Sequence, residues 1–424
     1  MDGTERLKIA VVGGGVAGIV SAYLMQRRHD VTLYEKNGYI GGHTNTVVIP
    51  EGPDRGTPVD TGFIVLNDRT YPLFNRFLSQ LAVLTSETDM SFSYTDRKTG
   101  LQYASMDFDG IFAQRENLIK PSFWSLLRGI IKFNAVTRRR LHEGTLDGLT
   151  LGQHLEKEGI AKKVARDFVL PMAGAIWSAP DGKIADFPAE TFARFYENHG
   201  LLSLTEHPQW YFVSEGSQSY VRAFLKDFKG EVVVNCPIEG IRREASQVAV
   251  GRHGVGEVFY DRVIIAAHAD ETLKLLRDPS PDERRLLSAW TYSQNNTVLH
   301  RDISCLPQNQ RAWASWNYIR EAGADADAPV TLTYDMTRLQ RLNTKERYCV
   351  TLNPAQPIPE SFVIRQIAYA HPVYNFASIS SQKELGRLNG VRNTYFCGSY
   401  FGYGFHEDAV HSAVDVGRIF GIDL

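Results

Sequence analysis

The sequence has little cysteine, no excess of either charge and no long apolar run. Its 424 residues contain four cysteines, none of them in a Cys-x-x-Cys pair, which excludes a disulfide framework and a cysteine zinc site. With 46 Lys and Arg against 48 Asp and Glu, it lacks the basic excess of a nucleic-acid-binding protein. No apolar run reaches the ~18–20 residues of a membrane span, and the apolar N-terminus lacks a signal-peptide cleavage site. These absences indicate a cytoplasmic protein.

Residues 7–35 contain the most informative motif. An apolar strand, a glycine-rich turn, a helix and a second strand follow one another, and the turn reads GxGxxG at Gly13, Gly15 and Gly18. These glycines allow a tight turn, a close approach to a pyrophosphate and close helix packing. Glu35 ends the second strand, 17 residues after Gly18, near the spacing of an acid that binds a ribose hydroxyl. The motif predicts a dinucleotide site; the alternative is an ordinary glycine-rich α/β turn.

A glycine pair six residues after Glu35 indicates which dinucleotide binds. FAD proteins often have such a pair, here Gly41 and Gly42, where the chain returns beside the pyrophosphate and the flavin. No second GxGxxG unit follows a strand, because the glycines at 251–256 have the wrong spacing. The chain is therefore expected to bind one FAD and to have no NAD(P)H domain. Oxygen or a partner would then reoxidise the flavin.

The length suits two domains. We expect an α/β fold in which a Rossmann-like FAD-binding domain with a parallel sheet carries an inserted α+β substrate domain. The FAD-binding domain would be assembled from residues 1–80, 215–285 and 386–424. The aromatic-rich stretches 81–214 and 286–385 would form the substrate domain.

Together these motifs resemble the flavin-dependent amine oxidase / phytoene desaturase superfamily. The resemblance adds the turn Asp60-Thr-Gly62-Phe63 and the C-terminal loop Phe396-Cys-Gly398 to Gly404-Phe-His-Glu407. Ile176-Trp-Ser178 and Gly402-Tyr-Gly-Phe-His-Glu-Asp408 are similar to one branch of it. That branch comprises FAD oxidoreductases associated with cyclopropane-fatty-acyl synthases and the N-terminal oxidase-like region of plant cyclopropane-fatty-acid synthases.

The resemblance implies a set of FAD contacts spread over several loops. Those expected at the pyrophosphate and adenosine ribose are Gly13, Gly15, Val16, Ala17, Gly18, Glu35 and Lys36. Those expected along the ribityl chain, the flavin and the adenine are Gly42, His43, Thr44, Gly62, Phe63, Ile238, Gly398, Ser399, Gly404, Phe405, His406 and Glu407.

Three departures from the superfamily pattern qualify this expectation. His43 stands where an arginine is usual, and no lysine matches the one with which amine oxidases hold a water at flavin N5. Cys397 precedes Gly398, which is the wrong position for a covalent flavin link. We therefore expect non-covalent FAD and a chemistry other than simple amine oxidation.

Four residues are candidates for catalysis. His406 and His411 are five apart, whereas a zinc helix needs histidines four apart, so no metal site is expected. His406 would face the flavin or act as a structural donor, and Tyr403 would belong to an aromatic wall or to plain core packing. Of Trp177 and His199, we expect one to reach the site.

Residues 120–141 predict an amphipathic helix. Phe123, Leu126 and Leu127 begin an apolar stripe that continues through Ile130 and Ile131, with Trp124 and Phe133 widening it. One interpretation is a helix packed on the substrate domain. The other is a peripheral contact with the inner face of a membrane.

The function expected from these features is hydride removal from an apolar, fatty-acyl or lipid-like substrate by an FAD-dependent oxidoreductase. One alternative is an FAD-dependent amine oxidase. Another is a flavoprotein without turnover that assists a lipid-modifying methyltransferase of the cyclopropane-fatty-acyl-synthase type. The lipid and methyltransferase assignments rest on the resemblance alone.

Overall fold

The structure is a computed structural model that describes residues 6–105, 107–203 and 205–424, so residues 1–5 of the predicted FAD-binding stretch lie outside it. In chain order its strands are β1 (Lys8–Val12), β2 (Asp30–Tyr34), β3 (Thr46–Val48), β4 (Pro58–Asp60), β5 (Val65–Asn67), β6 (Thr85–Thr88), β7 (Phe92–Asp96), β8 (Gln102–Ala104), β9 (Trp210–Val213), β10 (Glu231–Val233), β11 (Ile238–Arg243), β12 (Val248–Arg252), β13 (Gly256–Tyr260), β14 (Arg262–Ile265), β15 (Thr291–His300), β16 (Trp316–Arg320), β17 (Thr331–Asp335), β18 (Cys349–Leu352), β19 (Val363–Val373) and β20 (Thr394–Phe396).

The α-helices connect and cover these strands. In chain order they are α1 (Val16–Met25), α2 (Pro72–Gln80), α3 (Phe108–Ile111), α4 (Pro121–His142), α5 (Leu151–Lys157), α6 (Lys162–Val164), α7 (Leu170–Trp177), α8 (Asp181–Ala185), α9 (Ala189–Asn198), α10 (Gln218–Asp227), α11 (Ala269–Leu275), α12 (Pro281–Leu287), α13 (Met336–Leu339), α14 (Phe376–Leu385) and α15 (His406–Ile419).

A parallel sheet of order β10-β2-β1-β14-β20 forms the base of the molecule. Its strands come from all three stretches predicted for the FAD-binding domain; the boundaries of those stretches stay a prediction. Ile9 and Val11 of β1 pack into a core with α1 and α15, whereas Ala10 and Val12 face the other core. Because both faces are covered, the central strands are continuous apolar runs. The predicted α/β class is confirmed.

A mixed sheet of order β19-β15-β18-β17-β16-β7-β8 forms the second layer. Its longest pairing is the antiparallel one between β15 and β19, from Thr291 opposite Val373 onwards. The single parallel pair in this described sheet, β7 with β16, joins strands from the two stretches predicted for the substrate domain. Helices α4 to α9 lie between β8 and β9 in sequence and contribute six buried aromatic side chains to the core that Ala10 and Val12 face: Phe123, Phe133, Trp177, Phe192, Phe195 and Tyr196.

Helix α4 spans Pro121–His142, close to the predicted range, but it presents a narrower buried face than expected. Phe123, Leu126 and Phe133 are buried, whereas Trp124 and Ile131 are 39% and 51% exposed. Helices α6 and α9 pack on α4 but leave these two side chains exposed, so the expectation that Trp124 and Ile131 belong to the packed face is corrected. Among the helices described, none combines the length and apolar character needed to cross a membrane.

Close backbone contact between α1 and the sheet predicts the effect of one substitution. A Cβ at Gly18 would overlap the carbonyl oxygen of Gly13, which belongs to rigid backbone. We expect Gly18→Ala to lower the free energy of unfolding of the apoprotein by about 3 kcal/mol, the upper end for overpacking. Denaturant titration measures this. Gly386→Ala is the control because no atom lies within 4 Å of its added Cβ, and equal losses in both variants would contradict the prediction.

Candidate functional site

The phosphate loop predicted from GxGxxG lies at the carboxyl end of β1. Gly13 has a φ of +109°, and its N–H donates to the Tyr34 carbonyl at 2.8 Å. A Cβ there would come within 2.5 Å of the Ala266 carbonyl oxygen. Helix α1 then begins at Val16 without a side-chain cap. Its first N–H groups lack intrahelical partners, the usual arrangement at a phosphate-binding helix terminus.

Gly15 differs from Gly13 and Gly18 because a side chain at this position would face open space. No atom lies within 4 Å of a Cβ built on Gly15, whereas Gly13 and Gly18 are closely packed. The open position adjoins the free N–H groups of α1. A backbone with no side chain at this point suits an approaching pyrophosphate.

Glu35 closes this loop from the second strand. One carboxylate oxygen accepts from the Gly14 N–H, and the other accepts from the backbone and side-chain amides of Asn37, all at 2.8 Å. Lys36 is exposed and pairs with Glu271. Ile238, predicted near the adenine, is the first residue of β11 and is partly buried. The ribose and adenine roles of these residues stay predictions.

The glycine pair returns the chain to the phosphate loop, as the sequence predicts. Gly41 forms a bridge with Gly15, and a Cβ on Gly42 would lie 3.2 Å from the Gly15 Cα. The next residue, His43, accepts a hydrogen bond at its carbonyl from the Phe63 N–H at 2.7 Å. Residues 41–44 and 62–63 therefore run side by side.

The C-terminal loop completes the site. Gly398 and Gly404 both have positive φ, and His406 begins α15. The His406 ring stacks on Phe63 with centroids 3.7 Å apart, and its Nε2 lies 3.0 Å from Thr44 Oγ1. Burial lowers the pKa of His406 to about 3, so the imidazole is neutral at physiological pH.

Glu407 is predicted to contact FAD, whereas in the structure its side chain binds the backbone at the start of α2. Its two carboxylate oxygens accept from the Leu73 and Phe74 N–H groups at 2.9 Å each, at the start of α2. Ser399 follows Gly398 in a short 3₁₀ turn. We call residues 13–18, 41–44, 62–63 and 398–407 the cofactor loops. Glu35 contacts these loops at Gly14, whereas Lys36 is exposed beside Glu271 and Ile238 begins β11.

The other candidate catalytic residues surround Phe195 on α9, which the sequence analysis did not identify. The ring centroid of Phe195 lies 4.8 Å from Trp177, 3.9 Å from His199, 5.7 Å from Tyr403 and 5.0 Å from Phe405. We call these five residues the aromatic wall. Through Phe405 the wall adjoins His406, so Trp177 and His199 share one surface with the cofactor loops.

Within the wall, the rings of His199 and Trp177 differ in their hydrogen bonding. His199 is held at both nitrogens, by the Phe195 carbonyl at 2.9 Å and by Thr70 Oγ1 at 3.1 Å. Burial lowers its pKa to about 4. The indole N–H of Trp177 is buried and has no hydrogen-bond partner among the residues described. Trp177 therefore has a buried donor without a partner; the catalytic roles stay predictions.

Strand β19 reaches the cofactor loops, although the sequence analysis singled out no residue in it. The Tyr369 ring stacks on His43 at 4.9 Å, and its hydroxyl lies 2.9 Å from Thr61 Oγ1. His371 lies beside His43 as well. The residue pattern of β19 does not indicate that this strand lies beside the cofactor loops. By contrast, His268 follows the carboxyl end of the parallel strand β14, the edge where ligands bind, and could have been found.

Within the described residues, no group of three His, Cys, Asp or Glu is placed to hold a metal ion. His411 is exposed and pairs with Asp415 at 3.0 Å on α15.

Comparison with known proteins identifies the family of this chain. The sequence model described as flavin containing amine oxidoreductase matches residues 16–301. The chain belongs to this family. A solved structure of wild-type putrescine oxidase bound to putrescine aligns with this flavoenzyme over 98% of its chain and 99% of the other, at 13% identity and a TM-score of 0.73.

Two further solved structures share the fold. A CLA-producing fatty acid isomerase from P. acnes aligns at 16% identity and a TM-score of 0.66, over 98% of this chain and 99% of the other. Cyclohexylamine oxidase from Brevibacterium oxydans IH-35A aligns at 14% identity and a TM-score of 0.66, over 98% and 100%. Cinnamate reductase from Clostridium sporogenes is 51% identical over 49 residues, which is 11% of this chain and 7% of that protein.

Family and geometry together identify the cofactor. The family carries a flavin, and the loop at residues 13–18 is built for a dinucleotide, so this flavoenzyme is an FAD-dependent oxidoreductase. The free helix N–H groups and the open side of Gly15 fit its pyrophosphate. Cys397 is buried with its sulfur 3.5 Å from Ser21 Oγ, on the α1 side of the sheet. FAD is therefore held without a covalent bond, as predicted.

Gly15 provides a test of the cofactor position. We expect Gly15→Ala to leave the stability of the apoprotein unchanged, since its Cβ has no neighbour within 4 Å. The same Cβ would meet the pyrophosphate, so FAD affinity should fall at least about tenfold, or 1.4 kcal/mol. Titration of apoprotein with FAD, followed by quenching of flavin fluorescence, measures the affinity. Unchanged FAD affinity would contradict this assignment.

Proposed function

We propose that this FAD-dependent oxidoreductase removes a hydride from a carbon of an apolar, acyl or lipid-like substrate, as in a desaturation or a C–H oxidation. Oxygen or an electron carrier would take the electrons away. The observation that carries the proposal is the aromatic wall, which is continuous with the cofactor loop through Phe405 and His406. When bound, the flavin supplies the hydride acceptor.

The composition of the wall and of its surroundings supports an apolar substrate. Behind Trp177 and Phe195 lie more aromatic rings: Phe187 contacts Trp177 at 4.6 Å, and Phe192 contacts Tyr196 at 4.0 Å. These rings come from α9 and the loop before it. Pockets lined by aromatic groups with a few placed polar atoms are typical of small-molecule sites.

The polar atoms beside the wall suit positioning better than charge attraction. His406 is neutral and bonded to Thr44, and His199 is neutral and bonded at both nitrogens. Both rings therefore offer apolar faces and fixed dipoles. The Trp177 indole N–H would donate to an ester, thioester or carboxyl oxygen of the acyl group.

Oxidation of an amine is the second candidate, favoured by the family and by the solved amine oxidases of the same fold. The lysines of the described chain lie at the surface, except for Lys163, which is partly buried and paired with Asp167. An amine would therefore need another group to hold a water beside the flavin. Association with a methyltransferase of the cyclopropane-fatty-acyl-synthase type remains a proposal that rests on the resemblance.

Anaerobic mixing separates these candidates. The FAD-loaded protein is mixed with vesicles of fatty-acyl phospholipid and with free fatty acids, and in parallel with putrescine and cyclohexylamine. Bleaching of the visible flavin bands by the acyl compounds alone is the expected result. Bleaching by an amine, with hydrogen peroxide released in air, would replace the proposal with amine oxidation. No bleaching by either class would overturn it in favour of a role without turnover.

Substituting Trp177 tests its proposed donor role. Trp177→Phe keeps an aromatic ring and removes a buried donor without a partner, so the melting temperature should stay constant or rise. The KM for the acyl substrate should increase about tenfold, the value of one hydrogen bond near 1.4 kcal/mol. Trp290→Phe is the matched control: its N–H donates to Ser381 Oγ at 3.0 Å, so this variant should lose stability. An unchanged KM in Trp177→Phe would refute the donor role.

We also propose that the start of α4 touches a lipid surface. Ile119 and Phe108 are 85% and 64% exposed beside Trp124. The patch is contiguous, because Phe112 contacts both Phe108 at 4.7 Å and Trp124 at 5.4 Å. The exposed cations Arg128 and Lys132 follow on the same helix. Exposed aromatic and aliphatic groups beside cations are typical of interfacial helices.

Vesicle flotation tests this surface. The double substitution Ile119→Asp with Trp124→Asp should lower binding to vesicles containing anionic phospholipid at least about tenfold, because two apolar anchors become like-charged with the lipid. The control is Val255→Asp with Phe259→Asp, which changes exposed apolar groups on the β12–β13 hairpin. Equal binding of both double variants, or no binding of the parent protein, would refute the membrane contact.

A further inference from the structure

Three histidines from separate segments form a cluster beside the cofactor loops. The ring of His43 lies 5.4 Å from that of His371 and 6.3 Å from that of His268. His43 Nε2 is buried and has no hydrogen-bond partner among the residues described. A buried imidazole nitrogen without a partner is costly, so its presence points to a ligand.

The position of the cluster indicates the part of the ligand that it meets. His43 directly follows Gly42, which packs on Gly15 of the phosphate loop. Ala266, two residues before His268, packs against Gly13 of the same loop. Two of the three histidines are therefore anchored next to the phosphate loop, and β19 brings the third.

A chain of amide hydrogen bonds fixes the tautomer of His371. The Asn296 N–H donates to Asn353 Oδ1 at 2.9 Å, so the Asn353 amide nitrogen is the group that donates to Asn295 Oδ1 at 2.8 Å. The amide nitrogen of Asn295 then donates to His371 Nδ1 at 3.0 Å. Because Nδ1 accepts, the neutral His371 ring carries its proton on Nε2. His371 is thus a hydrogen-bond donor of fixed orientation.

Without a ligand the cluster is uncharged. Burial lowers the pKa of all three histidines, that of His371 to about 4; His371 and His268 further lower the pKa of His43, and His268 further lowers that of His371. The ionisable groups that face the cluster are His406 and Tyr369 at His43, and Asp270, Glu271, Lys36 and Tyr292 at His268. Lys36 is paired with Glu271, so among the described groups that face the cluster no cation is free to balance an anion.

We propose that His43, His268 and His371 form an anion-binding cluster for the diphosphate of the dinucleotide, which takes up a proton from solvent when the diphosphate binds. His371 donates from Nε2, and the added proton gives the cluster a positive charge only in the complex. FAD binding is therefore coupled to pH. Because the bound cluster holds a proton that the free cluster lacks, FAD affinity falls as the pH rises.

Calorimetry of FAD binding to the apoprotein tests the proposal without any turnover. Titrations at pH 7.5 in two phosphate-free buffers with different ionisation enthalpies should show uptake of about 0.5–1 proton per FAD. The FAD dissociation constant should increase by up to about tenfold per pH unit between pH 7 and 9. ADP, which carries the diphosphate without a flavin, should show the same uptake. Uptake only when a fatty acid is added to the FAD-loaded protein would assign the cluster to a substrate carboxylate and overturn the proposal.

Three variants complete the test. His371→Gln can still accept from Asn295 but loses the imidazole Nε2 donor, so it should raise the FAD dissociation constant about tenfold. His43→Arg supplies a permanent cation, so it should remove the uptake while affinity is retained. His300→Gln is the control, since His300 is a buried histidine that bonds Thr351 at the far end of β15 and should leave uptake unchanged. No uptake in the parent protein, or uptake that persists in His43→Arg, would overturn the proposal even if His371→Gln failed to fold.

Discussion

The close contact of α1 with the parallel sheet is the constraint on which the rest of the structure depends. Gly18 lies against the Gly13 carbonyl, and Gly13 lies against Ala266 of the neighbouring strand end, with no room for a Cβ at either glycine. This contact places the free N–H groups of α1 at the carboxyl edge of the sheet, where open α/β folds bind ligands. Gly42 then packs on Gly15, so the following loops converge on the same point.

The buried carboxylate of Asp60 and the partly buried carboxylate of Glu407 hold these loops together by accepting hydrogen bonds from uncharged donors. Asp60 accepts from Thr46 Oγ1, from the backbone and hydroxyl of Ser217 and from Gln340 Nε2, and so joins β4 to α10 and to the segment after α13. Glu407 accepts from two N–H groups at the start of α2. Burial raises the pKa of both carboxyls, that of Asp60 to about 6. The donors offset this cost and keep His406 next to Phe63 and Thr44.

The proposed substrate side combines α7 and α9 with Tyr403 and Phe405 of the cofactor loops. The same fold is found in oxidases of small amines and in a fatty acid isomerase, so the fold does not select the substrate. In this protein the surface next to the cofactor loops is made of aromatic rings centred on Phe195, with the Trp177 N–H as a donor without a partner. The proposal of an acyl substrate rests on this aromatic surface and not on the fold.

The sequence by itself determined the dinucleotide loop, the glycine pair and the α/β class. These features depend on contacts between neighbours in the chain: the turn at Gly13, the close packing at Gly18 and the return at Gly42 each require a missing Cβ, and only glycine provides it. The resemblance also located the Asp60 turn and the loop before His406, because these too are short motifs of residues close together in the chain. Their side-chain partners, Gln340 and the start of α2, are distant in sequence and were not found.

Only the tertiary structure decided which side chains share the site. Phe195 on α9 and His371 on β19 lie in ordinary amphipathic or alternating patterns, which say that a face is covered but not by what. The tautomer of His371 depends on Asn295 and Asn353, which come together through the pairing of β15 with its two neighbours. Likewise, the packing of α6 and α9 on α4 leaves Trp124 and Ile131 exposed. Periodicity is a property of one element, whereas burial and hydrogen bonding depend on the partners that the fold brings to it.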